Sequence, residues 1–264
     1  PNHPMNIDSM TADDLRVFAD FLSSDYDISM NTIVTNMTLM RTVCNWVRKQ
    51  GVTNNDPFFG YDMPKALYGT PYFLTIQERD QVLDADLTDD AELAEYRDMF
   101  VFQCMVGCRH SDLVTFTPKN IIDGVLEYIP IKTKGKLGDV VRVPLIPKAM
   151  AILDGHDHGD DEPIFPKHYN FKFNDAIRRI LKRAKVNRVV TVINPKTRIE
   201  EKKPISDVAT SHLARRTFIG NLYRMVKDPD LVASMSGHAK GSVAFARYRV
   251  IDDDMKKSLV ELIQ

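Results

Sequence analysis

The sequence predicts a mainly α-helical protein with small β-hairpins, an α+β fold divided into two domains. Most segments repeat apolar residues at intervals of three and four, which is the helical period. Two pairs of short segments are instead rich in β-branched residues and flank turn residues, which predicts hairpins. The stretch 54–70 contains prolines and glycines without any period, which is typical of a linker. We therefore expect a helical domain at 1–65 and a larger domain at 71–264.

Composition bounds the class of protein. Of the 264 residues, 44% are hydrophobic, which is enough for a packed core. No apolar run has the length of a membrane span and no signal-peptide pattern is present, so we expect an intracellular, cytoplasmic protein and no membrane partner. Three cysteines do not make a disulfide framework. Cys104 and Cys108 lie one helical turn apart within an apolar segment, which favours buried thiols over a zinc site.

The charge is distributed unevenly although the net charge is only −1. Residues 1–70 carry −3, residues 71–100 carry −7, and residues 101–264 carry +9. A positive charge concentrated in residues 101–264 is expected if this segment binds a phosphate backbone. Alternatively, the Lys and Arg side chains only solvate helix faces, and the charge sums alone do not decide between these two interpretations.

The first domain is predicted to contain two helices. Thr11 is a good helix cap with carboxylates in the first turn, and Ser29 opens a second helix that Gly51 ends. The apolar stripe of the second helix consists of Ile33, Met37, Met40, Cys44 and Val47.

The larger domain begins with a capping box, Thr75 with Glu78 three residues later. A longer helix starts at Asp90 and ends at Gly107. Arg109 follows at a helix–helix corner, where a side chain can project into a cleft. Taken alone, this arginine is as easily explained as a surface residue or as a cap of helix carbonyls.

Two β-like segments, Val125 to Pro130 and Val140 to Leu145, flank a lysine-rich stretch with glycines, which predicts a hairpin. Lys132 and Lys134 alternate with Thr133, so both are expected on one face of the strand. Lys136 follows in the turn, and a solubilising role explains at least one of the three lysines.

Further along, Phe171 to Ala184 has the pattern of a basic amphipathic helix with Phe171 on its apolar side, and its basic face suits a DNA backbone. The preceding polar loop contains His156 and His158 among aspartates. This arrangement favours a solvated loop over a metal site. A second hairpin is predicted at Val189–Val192 and Thr197–Pro204.

Four polar side chains near the C-terminus have the chemistry of phosphate transfer: His212, Arg215, His238 and Tyr248. A guanidinium binds two phosphate oxygens, a histidine moves a proton near neutral pH, and a tyrosine hydroxyl can attack phosphorus. His212 and Arg215 are three residues apart and so share one helix face. Arg216 is rotated about 100° from Arg215 and is expected to be structural.

These residues resemble a known family. The C-terminal box of the tyrosine recombinases, or phage integrases, resembles the pattern His212-x-x-Arg215, Gly237-His238 and Tyr248. The residues around these positions are similar to those of integrases from conjugative and other mobile elements. The segment 107–113, which contains Arg109, resembles the first box of that family. Each motif is weak alone, but their order across about 140 residues is specific. Cys108 and His110 depart from the usual first box. Three roles are open for His110: a DNA contact, a buried corner residue, or a residue without a role.

The resemblance implies an N-terminal helical core-binding domain followed by a catalytic domain. It implies a site-specific recombinase that cuts and rejoins DNA through a 3′-phosphotyrosyl intermediate, to integrate or excise a mobile element. It assigns Tyr248 as nucleophile, Arg109 and Arg215 as phosphate ligands, Lys132 (alternatively Lys134) as general acid, His212 as base, and His238 as a hydrogen-bond donor. No cofactor and no metal is expected.

The implied partners are a double-stranded DNA core site and three further copies of the chain, a homotetramer on two duplexes in a prokaryotic nucleoid. Accessory DNA-bending or directionality factors are further candidate partners. From the family, the first helix of the core-binding domain and any arm-type DNA-binding domain are expected before Pro1. Two alternatives are open: a type IB topoisomerase-like enzyme that relaxes DNA, and a non-catalytic DNA-binding module.

Overall fold

The computed structural model describes residues 6–26, 28–134, 140–156, 159–226, 228–238 and 260. The chain forms two compact units, one of residues 1–69 with 191–201, the other of residues 70–190 with 202–264. Among the described residues, no helix is long and apolar enough to cross a membrane.

Helices dominate both units. The α-helices are α1 (Ala12–Ser24), α2 (Met30–Lys49), α3 (Ile76–Leu83), α4 (Ala91–Val106), α5 (His110–Leu113), α6 (Pro147–Asp154), α7 (Asn170–Arg183), α8 (Ile205–Val208), α9 (Ser211–Val226) and α10 (Pro229–Ser236). The strands are β1 (Ile121–Ile122), β2 (Val125–Tyr128), β3 (Val141–Pro144), β4 (Val189–Ile193) and β5 (Glu200–Pro204). The mainly α fold with small hairpins is therefore confirmed.

The first unit contains α1 and α2. Thr11 and Asp14 cap α1 reciprocally, and the Ser29 hydroxyl accepts from the Thr32 N–H at the start of α2. The two helices bury one cluster, whose members are Leu15, Ile33, Met37, Cys44 and Phe58. Three of these belong to the stripe predicted for α2.

The hairpin of β4 and β5 supplies residues 191–201 to this unit. The Met30 N–H donates to the Pro195 carbonyl at 3.2 Å, and Arg198 donates to the Lys65 carbonyl at 3.0 Å. Such long-range contacts have no signature in the sequence.

In the second unit, α4 is the central helix. Asp90 caps its start by accepting from the Leu93 N–H at 3.0 Å, and Gly107 ends it in the left-handed conformation. Its last turns are buried on every side, because α3, α6, α7 and α9 all pack against it. Both ends of this helix agree with the prediction.

A three-stranded antiparallel sheet lies beside these helices in the order β1-β2-β3, with Tyr128 opposite Val141. The β2–β3 hairpin confirms the predicted one. The expected strand placement of Lys132 and Lys134 is wrong, however. Residues Ile131–Thr133 form a 3-10 helix that ends at Lys134, so the two lysines do not alternate along a strand.

Helix α7 differs from its prediction on its apolar side. Phe171 is 68% exposed, and Phe173 fills the apolar side instead. On the basic face, Arg179 forms an ion pair with Asp90, Arg183 with Asp89 and Lys182 with Asp207. These three basic side chains remain exposed in their ion pairs, and contact of this face with a DNA backbone stays a prediction.

Candidate active site

Arg109 lies at the corner where α4 gives way to α5. Gly107 has φ of +69°, and a Cβ there would lie 2.2 Å from the ring of Phe218, so only glycine fits this close approach. The chain then turns so that Arg109 is in extended conformation at the start of α5. Its Nη1 is buried and has no hydrogen-bond partner among the described residues. A buried guanidinium nitrogen of this kind is a ready donor for an anion.

Arg215 is held against this corner. Its side chain is only 1% exposed, and Nη1 donates to the Gly107 carbonyl at 2.7 Å. Its Nη2 contacts the ring of His238, at 3.0 Å from Nδ1 and 3.3 Å from Nε2. The guanidinium therefore joins α9 to both the end of α4 and the residue after α10.

His238 follows Gly237, which ends α10 with φ of +62°. A Cβ at Gly237 would lie 3.0 Å from a methyl of Val141 and 3.1 Å from the ring of Pro130, so the glycine brings His238 close to the β2–β3 hairpin. The Ser236 hydroxyl lies 2.9 Å from Nδ1 of the imidazole. Because a guanidinium can only donate, the ring nitrogen that meets Arg215 must carry a lone pair.

The lysine-bearing segment is tied to the first motif. Asp112, 1% exposed, accepts from the Ile131 N–H through Oδ1 at 2.9 Å. This bond fixes the residue immediately before Lys132. Lys132 and Lys134 are both exposed. The sequence reasoning missed this role of Asp112, because the bond joins residues 19 positions apart and has no local signal.

The candidate groups act electrostatically on one imidazole. The pKa of His238 is lowered to about 3, first by burial and then by the positive charges of Arg215, Arg109, His212 and Lys132. Arg215 contacts the imidazole directly, and because coulombic effects fall with distance, the four charged side chains, which come from three segments of the chain, lie near His238. We call Arg109, Lys132, His212 and Arg215, grouped around the imidazole of His238, the cationic cluster.

Two of the residues considered for catalysis, Tyr248 and Lys136, lie outside the described residues.

Arg216 is not part of the cluster. Its guanidinium stacks over the ring of Tyr72 at 5.2 Å, which agrees with the structural role expected for it.

His110 is half-buried at the corner, and its role stays a prediction with three alternatives. Its ring stacks on Phe173 with centroids 4.9 Å apart. Its pKa is lowered by burial and, less, by His168.

The other sequence candidates are packing residues. Cys104 and Cys108 are buried free thiols, and burial raises the pKa of both. His156 packs edge-on against Phe165 at 5.0 Å, and His158 lies outside the described residues. No group of three metal-ligating side chains is found within the described ranges.

Comparisons with known proteins identify the family of this chain. The chain matches the phage integrase family over residues 72–255. No curated protein matches it significantly.

Among solved structures, the fold is similar to the Tn1549 transposon integrase in complex with a circular intermediate DNA, at 16% identity over 97% of this chain and 86% of that one, TM-score 0.70. It is similar to a lambda integrase dimer bound to a COC′ core site, at 14% identity over 96% and 83%, TM-score 0.66. A third similar structure is the XerH site-specific recombinase bound to difH substrate, at 15% identity over 97% and 72%, TM-score 0.61.

The fold and the family match define the class of protein: a tyrosine-type site-specific DNA recombinase, an enzyme of DNA recombination. The chain belongs to the phage integrase family, because the match spans well over half of its length.

Proposed function

We propose that this protein integrates or excises a mobile element by cutting and rejoining double-stranded DNA at a core site. The observation that carries the proposal is the contact of Arg215 with both the Gly107 carbonyl, two residues before Arg109, and the ring of His238. These contacts bring the two motifs of the sequence together at the cationic cluster. The similar solved structures include a transposon integrase with circular intermediate DNA, which favours a mobile element as the source of the site.

The proposed reaction is a phosphoryl transfer. The Tyr248 oxygen attacks the scissile phosphorus, the bond from phosphorus to the 5′-oxygen breaks, and a 3′-phosphotyrosyl bond forms. His212 takes the proton of the tyrosine, and Lys132 gives a proton to the departing 5′-oxygen. Attack by the 5′-hydroxyl of another strand reverses these steps and rejoins the DNA without an external energy source.

Arg109 and Arg215 bind the non-bridging oxygens in this proposal. The buried Nη1 of Arg109, without a partner among the described residues, suits a phosphate oxygen. The neutral imidazole of His238 retains one N–H and donates it to the same phosphate. Because Arg215 and His238 are held by hydrogen bonds to the Gly107 carbonyl, to each other and to Ser236, they can stabilise developing charge with little reorganisation.

The first unit is proposed to be the core-DNA-binding domain, and the active assembly to be a homotetramer on two duplexes, with accessory bending or directionality factors. Sedimentation of the protein with its target duplex tests the assembly. A complex containing four chains and two duplexes is expected, and a complex that stays at one chain per duplex contradicts it.

The target duplex, called the mapped core site below, is obtained by sequencing DNA that the protein captures covalently from its host genome. A plasmid carrying two copies of this site tests the reaction. Recombinant circles are expected from the wild type and none from Tyr248→Phe. Relaxed plasmid without recombinants supports the topoisomerase-like alternative, and binding without any strand cleavage supports the non-catalytic one.

The choice between Lys132 and Lys134 needs its own experiment. In a duplex whose scissile 5′-oxygen is replaced by sulfur, the leaving group needs little protonation. Lys132→Ala should cleave the ordinary duplex poorly and the sulfur duplex nearly as well as wild type. Rescue of Lys134→Ala instead would move the assignment to Lys134, and rescue of neither would point to Lys136.

A further inference from the structure

The start of α9, the helix that carries His212, is capped by another helix. The first N–H groups of a helix have no partner within it and are usually satisfied by a nearby side chain of the same segment. Here the Ser211 N–H donates to Oδ1 of Asn174 at 2.8 Å, and the Ser211 hydroxyl donates to Oδ1 of Asn170 at 3.1 Å. Both asparagines belong to α7.

The two asparagines act together on Ser211. They are four residues apart, so their side chains project from the same face of α7. Together they bind both the backbone and the side chain of one residue, which restrains the position and the rotation of the first turn of α9. Ser211 is only 8% exposed, so water cannot readily replace either partner.

His212 depends directly on this turn. Ser211 before it and Leu213 after it are buried, while His212 itself is exposed. Because His212 directly follows Ser211, the orientation of the helix start sets the direction in which its imidazole projects.

We propose that Asn170 and Asn174 are positioning residues for His212, holding the first turn of α9 so that its imidazole keeps the orientation needed to accept a proton. This inference rests on the proposed function, in which His212 is the base.

Helix α7 does not need these bonds to stay in place. Phe173, Ile177 and Ile180 are fully buried and anchor it in the core. Substitution of the asparagines should therefore disturb the start of α9 and leave the fold intact.

The test is single-turnover cleavage of a nicked suicide duplex of the mapped core site. Asn174→Leu should lower the cleavage rate by roughly 10- to 100-fold, the range expected when a catalytic group is displaced by about 1 Å. DNA affinity should not change. Asn174→Asp keeps an acceptor oxygen and should recover most of the rate. Ser211→Ala removes only the bond to Asn170 and should give a smaller loss.

Non-additivity separates positioning from general stability. In a His212→Gln background, Asn174→Leu should cause no further loss, because the group that it positions is gone. Asn221→Leu is the matched control. Asn221 lies near the other end of α9, and its amide donates to the carbonyls of Leu74 and Thr217 at 2.8 Å each, so its loss removes comparable bonds far from His212.

The outcomes are distinct. A wild-type cleavage rate in Asn174→Leu, an equal loss with and without His212, or an equal loss in Asn221→Leu would overturn the positioning role while cleavage by the wild type still supports the proposed function. Absence of cleavage by the wild type would overturn the proposed function and this inference together.

Discussion

At the scale of single residues, His238 is held neutral by its surroundings. Burial is the main cause of its lowered pKa of about 3, and the guanidinium of Arg215 adds to it. The contact with Arg215 also requires an unprotonated ring nitrogen. A neutral imidazole suits a hydrogen-bond donor that must keep its proton during the reaction.

This lowered pKa predicts a pH dependence of stability. Its folded value of about 3 lies below the ordinary value of 6.5, so on acidification the unfolded chain takes up a proton that the folded protein resists. Stability should therefore fall as the pH drops from about 6.5 towards 3.

Urea unfolding at pH 7 and pH 4.5 measures the effect. His238→Gln, which cannot titrate, should lose less free energy of unfolding between these two pH values than the wild type. An equal loss in both proteins would show that His238 titrates normally.

Gly107 offers a second residue-scale prediction. Gly107→Ala combines an unfavourable positive φ with a Cβ placed 2.2 Å from Phe218. Gly124→Ala is a matched control, since Gly124 has φ of +75° but nothing within 4 Å of the added carbon.

The control should lose about 1–2 kcal/mol of unfolding free energy from its backbone alone. Gly107→Ala should lose roughly 1–3 kcal/mol more from overpacking, as measured by urea unfolding. Similar losses in the two variants would contradict the close approach of α4 and α9.

At the scale of elements, local signals predicted the helices well because their ends are set by nearby residues. Thr75 with Glu78 at the start of α3, and Gly107 after α4, act within three or four residues of the helix end. The 3-10 helix at 131–133 was not predictable in this way. It begins at Ile131, whose N–H bonds to Asp112, a partner 19 residues earlier.

That bond predicts an effect of Asp112 on the lysine segment. Asp112→Leu leaves the Ile131 N–H without its partner, at a cost of about 1–3 kcal/mol, and should displace Lys132 and slow strand cleavage. Asp112→Asn retains an acceptor oxygen and should be milder.

The sulfur-containing duplex provides the measurement. If Asp112 acts through Lys132, part of the cleavage defect of Asp112→Leu should be recovered on that duplex. A defect of the same size on both duplexes would mean that Asp112 supports the fold alone.

The ion pairs of α7 mark another limit of sequence reasoning. Its basic residues follow the pattern of a DNA-facing helix, yet Arg179 forms an ion pair with Asp90, and Arg183 forms one with Asp89. Both aspartates precede α4. A sequence shows that charges exist but not which partners neutralise them.

At the scale of the whole molecule, the fold assembles a site from separate segments. Motif order and spacing predict which residues belong to it, because the residue types needed for phosphoryl transfer are few, and their catalytic roles stay predictions. The contacts that bring them together were not predictable: Arg215 with Gly107 is separated by 108 residues, and Ser211 with Asn174 by 37. Tertiary packing alone sets such distances.

We infer that this assembly serves one tyrosine at one phosphate. Mass spectrometry of the adduct that forms on a suicide duplex of the mapped core site measures which residue is linked. A single covalent link from Tyr248 to the 3′-phosphate is expected, and no link is expected in Tyr248→Phe. An adduct on another residue, or one that persists in Tyr248→Phe, would contradict it.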